Sequence, residues 1–61
     1  MWITSKDQLE QLATKDRLRK LLIRYRGPTD GRFTCTAQDA ENMIEILTQS
    51  DCYVRDIEVL P

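Results

Sequence analysis

Residues 20–26, KLLIRYR, decide the fold. Leu21, Ile23 and Tyr25 alternate with Leu22, Arg24 and Arg26, a period of two that marks a half-buried strand. Leucine, arginine and lysine are also good helix formers, so a helix continued through residues 17–26 is the competing reading. The residues upstream argue against it. Leu9, Leu12 and Ala13 share one side of a helix, whereas Leu18, Leu21 and Leu22 fall roughly opposite, and one helix to Tyr25 would be apolar on two sides. The predicted helix therefore ends near Asp16, and a strand begins near Leu18 or Lys20.

Working outward, Trp2, Ile3 and Thr4 suit a short strand. Ser5 follows as an N-cap with Gln8 three residues on, and Thr4 with Asp7 is the same pairing shifted by one. After the KLLIRYR strand, GPTDG at 27–31 reads as a hairpin turn: Pro28 presets φ, Asp30 bonds its neighbouring backbone, and Gly31 is expected to take positive φ. RFTCT at 32–36 is the returning strand, with Phe33 and Cys35 on one side and Arg32, Thr34 and Thr36 on the other. TAQD at 36–39 repeats the capping pattern with Thr36 and Asp39. Ala37, Ala40, Met43, Ile44 and Leu47 then form one apolar stripe on a helix ending near Ser50. CYVRDIEVL at 52–60 is the last strand, and its pattern leaves open which alternating set is buried.

The order strand, helix, strand, strand, helix, strand defines one small α+β domain over residues 1–61. In pattern it resembles a miniature ferredoxin-like domain, two split βαβ halves joined at a hairpin. The resemblance implies an antiparallel sheet in the order 4-1-3-2, with both helices on one face and the second and fourth strands at the edges. Expected inward residues are Ile3, Leu9, Leu12, Leu21, Ile23, Tyr25, Phe33, Cys35, Ala40, Met43, Ile44 and Leu47. Cys35 and Cys52 would lie at opposite ends of the sheet, beyond the roughly 7 Å Cα separation a disulfide allows, so both are expected as free thiols.

Composition bounds the function. A chain of 61 residues that is 41% hydrophobic and 31% charged has the balance of a folded domain, yet one this short buries only about 60% of its unfolded surface. A partner or self-association is therefore expected to add stability. With no histidine and only two cysteines, 17 positions apart, no metal site is expected. No cofactor or phosphate loop is indicated either, because the two glycines flank a turn that leads into a strand. Catalysis is the class with least support: no histidine is present, and Ser5 and Ser50 occupy cap or turn positions with no base in view. The N-terminal MWITSKDQLEQL lacks the basic segment and apolar run of a secretory signal, and no apolar stretch approaches about 18 residues. A cytoplasmic location without membrane contact is expected.

Charge is segregated. The net value is −1, but residues 15–32 hold seven basic against two acidic side chains, and residues 33–61 hold one basic against six acidic. Two binding surfaces follow. Trp2, Arg24, Arg26 and Arg32 would share the open sheet face, an aromatic among arginines of the kind that clamps single-stranded nucleic acid. Glu41 and Glu45 would form an acidic surface on the outward side of the second helix, suited to a basic patch on another protein. The opposite charge of the two expected edges also suits self-association through sheet edges. The sequence pI of 5.2 and the lack of an aromatic-rich RNA-binding run weigh against nucleic acid. The expected function is a non-enzymatic protein-binding module acting as an inhibitor, adaptor or regulator. Its setting would be that of the short proteins bacteriophages and other mobile elements make against host proteins; nucleic-acid binding through the basic hairpin and open face is the alternative.

Overall fold

In the computed structural model, which describes Met1 to Pro61, KLLIRYR is a strand. The elements are β1 (Trp2–Ile3), α1 (Lys6–Lys15), β2 (Lys20–Arg26), β3 (Gly31–Thr36), α2 (Ala37–Gln49) and β4 (Tyr53–Val59), the predicted α+β order. Helix α1 starts where Ser5 Oγ accepts from the Gln8 backbone N–H at 3.3 Å, while Gln8 Oε1 accepts from the Thr4 backbone N–H at 2.6 Å. Ser5 with Gln8 is thus the cap, the Gln8 side chain reaching one residue further back to Thr4, and the shifted pairing of Thr4 with Asp7 does not form. At α2 the box is altered: Thr36 makes no side-chain bond to the backbone, and its hydroxyl instead donates to Asp39 Oδ2 at 3.0 Å.

The four strands form one antiparallel sheet in the order β1-β4-β2-β3, which corrects the 4-1-3-2 order and with it the expected edges. β2 and β4 are neighbours at the centre, and β1 and β3 are the edges. Strand length explains the difference. β2 and β4 have seven residues each and β1 has two, so β1 cannot satisfy the backbone of long strands on both sides. Pairing the two long strands leaves the fewest open backbone groups.

The core side of the sheet packs against both helices. Leu21 and Ile23 are fully buried on β2 and join Ile57, Leu9, Ala37, Ala40 and Leu47. Burial of each large side chain contributes about 1.5–3 kcal/mol. Ile3, Leu12, Tyr25, Phe33, Cys35, Ile44, Val54 and Val59 pack around that centre half-buried. Met43 is not among them; it lies on the flank of α2 toward β3, outside the core. Only seven residues are buried, so the core is thin.

β4 resolves its own ambiguity with a bulge. Arg24 opposes Asp56 and Tyr25 opposes Val54, so Arg55 is an extra residue with no partner on β2. The bulge lets Val54 face the core together with Ile57 and Val59, although Val54 is out of step with them in a period of two. Positive φ also falls elsewhere than expected. No glycine adopts it, while Asp51, just past α2, has φ 61°. Gly31 is needed instead for space, because a Cβ there would lie 2.5 Å from the Tyr25 hydroxyl oxygen.

Candidate functional site

β1 ends after Ile3, so its pairing with β4 covers only Ile57 and Glu58. On that side Tyr53 to Asp56 have no strand partner. Beside this free half-edge lies a cleft of about 580 Å³ between the start of α1, the flank of α2 and β4. Its floor is apolar, with Ile3, Leu9, Ile44, Val54 and Ile57. Its rim is charged and of mixed sign, with Glu41 and Glu45 from α2, Lys6 from α1 and Arg55 and Asp56 from β4. Glu41 and Glu45 are thereby brought together, one helical turn apart on one wall, and neither makes an ion pair.

Arg55 and Lys6 were not expected in a site. The signal for Arg55 is the mismatch between Val54 and the Ile57–Val59 pair in an otherwise alternating strand, which requires one residue to be looped out next to Asp56. Lys6 had no signal beyond lying in the first turn of α1.

The open face of the sheet brings Trp2 and Arg24 together. Trp2 is exposed on β1, and the Arg24 guanidinium sits 5.6 Å from its ring centroid. Arg24 is held on the other side by carboxylates, with Nη1 donating to Asp56 Oδ1 at 2.9 Å and Nη2 to Glu58 Oε1 at 3.4 Å. Its pKa is raised further, chiefly by the hydrogen bond to Asp56. Arg32 opposes Arg24 across the β2–β3 ladder and Arg26 lies exposed at the end of β2; neither has a carboxylate partner. Arg24, Arg26 and Arg32 thus occupy neighbouring open-face positions of β2 and β3, and Asp56 and Glu58 of β4 flank them on the side toward Trp2.

Cys35 and Cys52 are free thiols. They lie at opposite ends of β2: Cys35 pairs with Leu21, and Cys52 immediately precedes Tyr53, which pairs with Arg26. Burial pushes the Cys35 thiol up, and the nearby Asp39 carboxylate adds to the effect. No cluster of three or more histidine, cysteine, aspartate or glutamate side chains is placed to hold a metal ion. No helix is long and apolar enough to cross a membrane. Comparison of the chain with known protein families, with curated proteins and with solved structures returns no match.

Proposed function

We propose that this chain is a non-enzymatic protein-binding module, an inhibitor, adaptor or regulator, whose partner adds an extended strand to the free half-edge of β4. The observation that carries the reading is the combination at one place of unpaired strand backbone, Tyr53 to Asp56, and an apolar-floored cleft. Strand addition supplies main-chain hydrogen bonds, and side chains entering a flanking pocket supply selectivity. An apolar centre with a polar rim is the usual anatomy of a protein interface. Here an apolar side chain of the partner would enter between Ile3, Ile44 and Val54, and a neighbouring lysine or arginine would meet Glu41 and Glu45. Two free thiols suit a reducing compartment, in keeping with action in the cytoplasm. Nucleic-acid binding has less support, since Arg24 and Trp2 are engaged with each other and with Asp56 and Glu58.

The test is an affinity capture from a bacterial lysate, split into nuclease-treated and untreated halves and run beside two variants. A protein retained in both halves, lost with the double variant Glu41→Lys, Glu45→Lys and kept with Arg26→Glu, supports the reading. Nucleic acid recovered with wild type and lost with Arg26→Glu favours the alternative.

A further inference from the structure

Beyond that reading, and on the opposite edge of the sheet, we propose that two copies of this chain associate by pairing their β3 strands antiparallel, joining the sheets into one of eight strands. β3 is a six-residue edge, Gly31–Thr36, paired on one side only. Proteins blunt such edges with proline, bulges, several charges or a covering element. This strand has none of them; its single charge is Arg32, and the bulge of the sheet lies in β4.

The helix beside this edge repeats the feature. Met43 lies on the β3-facing flank of α2, over a recess shared with Thr34 and Cys35. Ile46, one turn on along that flank, is 47% exposed. An unpaired strand edge and an uncovered apolar strip therefore run side by side, the arrangement a two-fold contact closes with the same patch on both subunits. The thin core of each copy would gain from that cover.

Charge selects the register. Arg32 and Asp39 carry opposite charge at the two ends of the β3 edge, and neither makes an ion pair. A two-fold axis perpendicular to the sheet at Thr34 opposes Arg32 of one copy to Thr36 of the other, where the Thr36 hydroxyl holds the Asp39 carboxylate. The same axis opposes Phe33 to Cys35, so core sides join core sides and no like charges meet. Centring the pair on Phe33 instead would place Arg32 against Thr34 and leave both charges unanswered.

Sedimentation over a range of concentrations tests this. The mass is expected to double from 7.2 kDa in the micromolar to millimolar range, as fits an interface at the small end of the scale. Ile46→Glu is expected to abolish the doubling with an unchanged circular dichroism spectrum. Arg32→Glu and Asp39→Lys should each weaken association, and together restore it. In a Cys35→Ala, Cys52→Ala background, Thr34→Cys should be cross-linked between copies by a short bis-maleimide far faster than Thr29→Cys. A 7.2 kDa species at every concentration overturns the proposal. So does a dimer that survives Ile46→Glu or cross-links equally at both cysteines. Ile46→Glu leaves the β4 cleft untouched, so partner capture and self-association succeed or fail separately.

Discussion

Arg24 and Asp56 face each other on adjacent strands, with Nη1 donating to Oδ1 at 2.9 Å, although 32 residues separate them in the chain. The basic and acidic halves of the sequence are thus partners within one molecule at this point, and part of the apparent dipole is cancelled by the fold. Glu58 completes the arrangement from the next open-face position of β4.

Reversing Arg24 should therefore cost stability, not only charge. Arg24→Glu sets three carboxylates together on the central strands and removes the cation over Trp2, so the urea midpoint is expected to fall. Adding Asp56→Arg should recover part of the loss. Arg26→Glu, at an exposed strand end, should change stability by no more than about 0.5 kcal/mol. Equal midpoints for Arg24→Glu and Arg26→Glu would show that the triad contributes nothing.

The six elements were legible in the sequence because each carried a local signal. KLLIRYR alternates, the Ala37–Leu47 stripe repeats at helical spacing, and Ser5 and Ser50 sit at the ends of helices. Strand order was not local. It follows from the two-residue length of β1, which becomes evident only when Thr4 and Ser5 are given to the cap of α1. The buried side of β4 was hidden by the bulge at Arg55, and with it the cleft. Glu41 and Glu45 were found as a pair, since residues one turn apart share a helix face, but the apolar floor beside them depends on tertiary packing.

The end of α2 offers a stabilising change. The Cys52 N–H donates to Leu47 O at 2.8 Å and the Asp51 N–H to Thr48 O at 3.2 Å, the two bonds of a Schellman cap whose left-handed position is Asp51. Glycine adopts that conformation without the roughly 1–2 kcal/mol an L-residue pays. The substitution also removes a negative charge from a helix C-terminus with no basic residue in its last turn. After the entropy loss of glycine, Asp51→Gly should stabilise by about 1 kcal/mol. An unchanged or lower thermal midpoint would count against this account of the cap.

The two glycines should respond differently to alanine. At Gly31 the new Cβ meets the Tyr25 hydroxyl and ring, the end of a side chain that can shift, so a loss of about 1–3 kcal/mol is expected. At Gly27 it meets the Cys52 Cα at 2.9 Å and the Asp51 carbonyl oxygen at 3.0 Å, backbone held by the cap of α2. Gly27→Ala should be the more damaging of the two in urea unfolding, and the reverse order would mean that the 51–52 turn yields more easily than Tyr25.

Cys35 should make part of the alkaline instability. Burial, with a smaller effect from Asp39, raises its thiol pKa, so the folded chain holds the proton more tightly than the unfolded one. The stabilising contribution is complete below the unfolded value and is lost as pH rises through the folded one, above about pH 9. Urea midpoints of wild type and Cys35→Ala should therefore converge as pH rises from 7 into this range, even where the cavity left by the missing sulfur makes the variant weaker at neutral pH. Asp39→Asn should bring the thiol part of the way back and quicken its alkylation in the folded protein at pH 8. Parallel pH profiles for wild type and Cys35→Ala would place the alkaline loss in other groups.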